Sequence, residues 1–185
     1  SNPEWIASDL IGQAEHDKLA QCILISKNRF LIDEVKNEIF KQLKEIPRSS
    51  IAKKSLMTNG ILMNIGSDKK IIDVVNKIAP EHLELNVKNY KSFVSRIKNS
   101  GSVCLGKYAV MAMTDYNVGS NHILPTNGSA KYSSGVSVNE FYKRISYINL
   151  SKKGIESLGP SVITLANYEG LVGHAQSVKK RIRRK

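Results

Sequence analysis

Four histidines, His16, His82, His122 and His174, are the only imidazoles in the sequence. His16 and His82 each directly follow a glutamate, and His122 follows Asn121. Imidazole exchanges protons near neutral pH and, with carboxylates, makes the usual ligand sphere of Zn²⁺. No HExxH or CxxC spacing is present, so a metal site would have to be assembled from separate segments. A single histidine at a loop or helix end is ordinarily a surface residue; the set of four hints at an enzyme. Glu81-His82 lies in Pro80-Glu81-His82-Leu83, at the entrance of an apolar run. An adjacent carboxylate and imidazole can share acid/base work if both reach one pocket. Neighbours on a strand point to opposite faces, so a turn must make them converge; the plain alternative is a helix stop with an exposed Glu and a partly buried His. The stretch Asp115 to Thr126 packs a carboxylate, an Asn, a Gly, a His and a Pro into a segment that follows neither a helical nor an alternating period. It is expected to be an ordered loop, either functional or simply a connection whose Asp and Asn bond their own backbone.

The elements around these residues alternate. Trp5, Ile6, Leu10, Ile11 and Ala14 recur at helical spacing behind Pro3, which puts Gln13 and His16, three apart, on one face of the last turn. A buried strand is expected over 21–26, a helix over 29–45, a weaker helix ending at Met57, and a strand over 61–65. Ser67-Asp68 caps a helix over 70–78 that Pro80 closes. Strands over 83–87 and 101–105 flank a helix over 90–98. Strand and helix in alternation argue for an α/β layer with a largely parallel sheet, where ligands gather at strand ends. The Gly- and Ser-rich segment 127–136 reads as a boundary. From Ser137 the pattern is helical, with breaks expected near Gly154, Gly159-Pro160 and Gly173.

With 41% apolar and 24% charged residues the chain has an ordinary globular composition. No apolar run approaches the roughly 20 residues that span a bilayer. The amino terminus, Ser1-Asn2-Pro3-Glu4-Trp5, lacks the marks of a targeting peptide and reads as a boundary of the polypeptide instead. Cys22 and Cys104 sit in strand-like apolar runs and are expected to be buried free thiols in a reducing cytosol. The net charge is +12, and Lys179 to Lys185 supply half of that excess. Such a run can grip a polyanion or can be a solvated helix end favoured by the dipole. A basic α/β binding module for nucleic acid is therefore the alternative to an enzyme. Aromatic residues at 6%, with no aromatic-basic interleaving, speak against a dedicated nucleic-acid reader.

Five segments together resemble histidinol dehydrogenase, the NAD-dependent enzyme of the last two steps of histidine biosynthesis. They are Pro3 to Leu10 with Gln13-Ala14-Glu15-His16-Asp17, then Pro80-Glu81-His82-Leu83, and Asp115 through Asn121-His122-Ile123-Leu124-Pro125-Thr126. Tyr132 to Val138 and Glu169-Gly170-Leu171-Val172-Gly173-His174 complete them. The resemblance runs the length of the chain and covers the carboxy-terminal part of the family's length. It implies a Rossmann-like α/β domain over 1–134, incomplete here, and a helical appendage over 135–185 exchanged between the subunits of a homodimer.

It also implies Zn²⁺ held by Gln13, His16, Asp115 and His174, with Glu169 and His174 serving the neighbouring subunit. Glu81 and His82 become the acid/base residues, and His122 and Glu169 substrate contacts; the zinc ligands and the acid/base pair also face the substrate. The implied reaction takes L-histidinol through histidinal to L-histidine with two hydride transfers to NAD, in the cytoplasm, with neither membrane nor nucleic acid as partner. The family's Gly-Pro-Ser-Glu motif and most of its nucleotide-binding half have no counterpart here, so the 185 residues alone are expected to be inactive. The family's Thr-Pro-Glu helix start and its Gly beside the Asp are replaced, in Tyr108 to Thr114, by Tyr-Ala-Val-Met-Ala-Met-Thr.

Overall fold

A computed structural model describes residues 1–182. Arg183, Arg184 and Lys185 of the basic tail lie outside the described residues. The chain divides into two compact units, Ser1–Glu140 and Phe141–Lys185.

The first unit opens with α1 (Pro3–Ala14), started by Asn2, whose side chain accepts the Glu4 N–H, and by Pro3 in the first turn. Strand β1 (Ile23–Ser26) leads to α2 (Arg29–Gln42), capped by the Asn28 side chain, and α3 (Ser49–Asn59). Strand β2 (Ile61–Asn64), α4 (Asp68–Ile78) and β3 (His82–Leu85) follow. Ser67 caps α4 as its sequence predicts, and the helix ends on Ala79 in the left-handed region (φ 54°) just before Pro80. A short α5 (Lys91–Val94), less than the expected 90–98, precedes β4 (Ser102–Leu105) and α6 (Met111–Tyr116). Among the described residues the strands form two parallel pairs, β1 with β2 and β3 with β4. The architecture is α/β with a helical end.

One core cluster joins α1, α2 and α3 around Ile6, Ala7, Ile11, Ala14, Val35, Ile39 and Ala52. Cys22 lies in it and donates its thiol to the Leu10 carbonyl at 3.3 Å. Beside it, the buried Ser55 hydroxyl donates to the Ala20 carbonyl at 2.8 Å. A smaller cluster of Ile72, Leu85 and Phe93 seals α4 and α5 onto β3. Both cysteines are buried and free, as expected.

Three expectations are corrected. Residues 142–150, expected to be helical, form neither helix nor strand. The segment from Asp115 is not all loop: Asp115 and Tyr116 form the last turn of α6. In the second unit the helix does not break at Gly154 or Gly159-Pro160, because α7 (Lys152–Tyr168) runs through both. Gly159 is a packing position, since a Cβ there would stand 3.0 Å from Val178 Cγ1 on α8 (Val172–Ile182). The Pro160 carbonyl keeps a partner in the Thr164 hydroxyl at 3.1 Å. The break falls at Gly170 (φ 75°), where the Leu171 N–H reaches back to the Ala166 carbonyl and closes a Schellman turn. Lys179, Lys180 and Arg181 occupy the last turn of α8, where cations complement the dipole. No helix among the described residues is long and apolar enough to cross a membrane.

Val35 is fully buried in the larger cluster, whereas Phe30 on the same helix is 68% exposed. Val35→Ala is expected to lower unfolding free energy by about 2 kcal/mol through lost transfer energy and a residual cavity. Phe30→Ala should cost less than about 0.5 kcal/mol. Urea unfolding of both variants checks the contrast.

Candidate active site

Helix α1 has two differently occupied faces. Ala7, Ile11 and Ala14 are buried in the larger core. Trp5, Asp9, Gln13 and His16 recur at helical spacing on another face. Along that face the Trp5 ring lies 6.1 Å from Tyr108, and the Asp9 carboxyl lies beside Glu84 of β3. Ser1 donates to the Asn86 carbonyl at 3.0 Å. Gln13, in the last turn of α1, is half-buried, and His16, just past the helix end, is exposed.

At the entrance of β3 Glu81 lies in a bend and His82 is the first strand residue. The bend makes the pair converge, with Glu81 Oε1 at 3.7 Å from His82 Nε2. His82 is mostly buried, its Nδ1 without a hydrogen-bond partner, while Glu81 keeps partial solvent access. Gly101, at the start of β4, is pressed against this corner: a Cβ there would stand 2.6 Å from the Glu81 carbonyl oxygen and 2.9 Å from Pro125 Cδ. Pro125 in turn ends the segment carrying His122. That segment is tied down by Asn121, which donates to the Val136 carbonyl at 2.8 Å and accepts the Ile123 N–H at 2.9 Å. His122 itself is exposed.

Side chains alternate along a strand, so His82 and Glu84 share a face of β3. Glu84 Oε1 accepts the Met111 N–H at 2.9 Å, at the start of α6. Burial pushes the Glu84 carboxyl up to about 7; the Met111 N–H works against this, and the neighbouring Asp9 adds to it. Asp9 is likewise raised by burial. Burial and the neighbouring Asp9 both favour the protonated form of Glu84, which can donate to the Asp9 carboxylate. Burial also lifts the Cys104 thiol to about 11, helped by the negative charges of Glu84, Asp115 and Asp9. Those three carboxyls, from β3, α6 and α1, thus gather around one buried thiol. Cys104 is no nucleophile under these conditions.

Asp9 and Glu84 are functional-looking residues that the motifs did not single out. A glutamate between two leucines, Leu83-Glu84-Leu85, in a strand half-buried on both faces was the available signal.

Asp115 Oδ1 is buried without a hydrogen-bond partner, and such an oxygen wants a donor or a cation. The His16 imidazole and the Asp115 carboxylate are of ligand types that suit Zn²⁺, and the unpartnered Asp115 Oδ1 is chemically suited to meet a cation. Among the described residues no group of three or more His, Cys, Asp and Glu side chains is gathered to hold a metal. The implied set includes an amide and draws on both units, so it is not such a group. In the second unit Glu169 caps the end of α7 and His174 lies in the first turn of α8, both exposed. A surface concavity of about 460 Å³ beside Asn64, Gly66, Lys70 and Asp73 contains none of the predicted residues.

The histidinol dehydrogenase family model matches residues 1–182. This chain belongs to the histidinol dehydrogenase family. It is 80% identical over its whole length to the histidinol dehydrogenase of Pelagibacter ubique, spanning 43% of that protein. It is 42% identical over 181 residues to that of Listeria monocytogenes, covering 98% of this chain and 42% of the relative. The crystal structure of histidinol dehydrogenase from Elizabethkingia anophelis superimposes with a TM-score of 0.90 at 37% identity, over 98% of this chain and 42% of that one. The chain thus spans less than half the length of the histidinol dehydrogenases it matches.

Gly101→Ala is expected to destabilise the fold by about 1–3 kcal/mol, because the backbone of Glu81 and the Pro125 ring must move apart. Thermal unfolding measures this. The raised Glu84 carboxyl predicts a pH dependence of definite sign. Glu84 holds its proton more tightly folded than unfolded, where its value is near 4.5. The contribution is therefore full below about pH 4.5 and is lost as pH rises through about 7. With partial solvent access discounted, wild type should be about 1–2 kcal/mol more stable at pH 5 than at pH 8 from this source. Glu84→Gln, which keeps a donor and an acceptor but cannot ionise, should flatten that part of the slope in denaturant titrations at both pH values.

Proposed function

We propose that this chain supplies the metal-holding and proton-transferring part of a zinc-dependent histidinol dehydrogenase, which oxidises L-histidinol through histidinal to L-histidine. The observation that carries the reading is the convergence of Glu81 and His82 at the entrance of β3, 3.7 Å apart, on the strand whose Glu84 is tied to the helices of Gln13, His16 and Asp115. Family membership supports the substrate and the cytoplasmic setting. Gln13, His16 and Asp115 would hold Zn²⁺, with His174 completing the set. His174 and Glu169 are assigned to the neighbouring subunit of a homodimer, with residues 135–185 as the exchanged arm.

Bound zinc would orient the amino-alcohol and polarise its oxygen, and NAD would accept both hydrides. His82, mostly buried with an unpartnered ring nitrogen, takes the hydroxyl proton of histidinol as the carbon-bound hydrogen leaves as hydride. Glu81, which keeps solvent access, takes a proton from water as the water oxygen bonds to the aldehyde carbon. The resulting hydrate anion loses a second hydride to give the carboxylic acid, which releases its proton to solvent as the carboxylate. His122 and Glu169 hold the substrate's polar ends. Proximity and orientation carry much of the rate in such a site.

The test uses these residues within a polypeptide of the relatives' full length. His82→Asn should lower kcat by about 10²–10⁴. Glu81→Gln should slow the second oxidation more than the first, so that NADH formed per histidinol consumed falls from two toward one. His16→Ala should lose zinc in a metal analysis. Full activity of all three variants overturns the reading.

A further inference from the structure

Helix α6 carries Asp115 but has no local start. Val110 at its N-cap position offers no side-chain acceptor, and the first turn holds no acidic residue. Six residues are too few for a helix to persist on propensity alone. Its first N–H is held from outside the helix, by Glu84 on β3 at 2.9 Å. The same carboxyl lies against that of Asp9, and Asp9 lies one turn before Gln13 on α1, with His16 just beyond the helix end. One side chain thus fastens the two elements that carry three of the four proposed zinc ligands. It also lies two residues from His82, on the same face of the strand.

We propose that Glu84 is a positioning residue of this site: by capping α6 and gripping Asp9, it sets Asp115 against Gln13 and His16. It acts through the α6 backbone and α1, not as a metal ligand. The effect on metal rests on the zinc reading above; the effect on α6 does not.

The experiment compares Glu84→Gln, Glu84→Ala and Met111→Pro in the full-length polypeptide. Gln retains an acceptor for Met111 and a donor for Asp9. Pro at the first helical position keeps the helix and removes the N–H, and Val110 is already extended (ψ 153°), as a residue before proline must be. Zinc affinity is read by chelator competition, and amide exchange is followed at Met113 to Asn117. Glu84→Ala and Met111→Pro should weaken zinc about 10–100-fold and speed α6 exchange, as losses of supporting contacts do. Glu84→Gln should stay within about threefold of wild type on both measures. Should Glu84→Ala fail to fold, Met111→Pro decides alone. Wild-type zinc affinity and α6 exchange in Met111→Pro overturn the proposal. If neither wild type nor His16→Ala binds zinc, the zinc reading fails, and the α6 exchange rates still decide the role of Glu84.

Discussion

The carboxyl pair Asp9–Glu84 is the contact through which three separate pieces of chain acquire a common frame. Two carboxyls in one half-buried place repel when both are ionised, so the contact is favoured when one of them holds a proton. The Met111 N–H gives Glu84 a second partner and fixes which oxygen faces which neighbour. A hydrophobic contact in this place would be non-directional. Hydrogen bonding at a carboxyl fixes direction as well as distance, and a constellation of ligands needs both.

α1 shows how one helix can serve stability and chemistry together. Its Ala7 and Ala14 are fully buried against α2 and α3, and small side chains there bring the helices close. The remaining face is left to Trp5, Asp9, Gln13 and His16. Anchoring on the core side lets the polar side be exact in position without contributing to the core. At the other end of the site, Gly101 permits β4 to lie against the Glu81 carbonyl, and Ala79 accepts a left-handed backbone so that Pro80 can turn the chain into β3.

Much of this was legible in the sequence where a local cause exists. Asn2 and Pro3 start α1, Ser67 starts α4, and Pro80 ends it; each signal sits within the element it governs. Glu81-His82 was legible as a pair, though only the bend before β3 decides that the side chains converge. What was not legible has a distant cause. α6 is capped by a residue from another element, so a local reading of Asp115 sees loop. α7 continues through Gly159-Pro160 because that glycine receives α8. Asp9 and Glu84 gain meaning only from each other, 75 residues apart in the sequence.

The two thiols carry a consequence of another kind. Cys22 sits in the larger core and Cys104 among the three carboxyls, and both are pushed up to about 11. Near pH 8 only about one thiol in a thousand is then a thiolate. Alkylation of the native protein must therefore await local opening, and its rate becomes a clock for breathing motions rather than a measure of nucleophilicity. Nature has left one such clock in each of two structurally distinct places, one timing the helical core and the other the carboxyl cluster, with no label engineered into either.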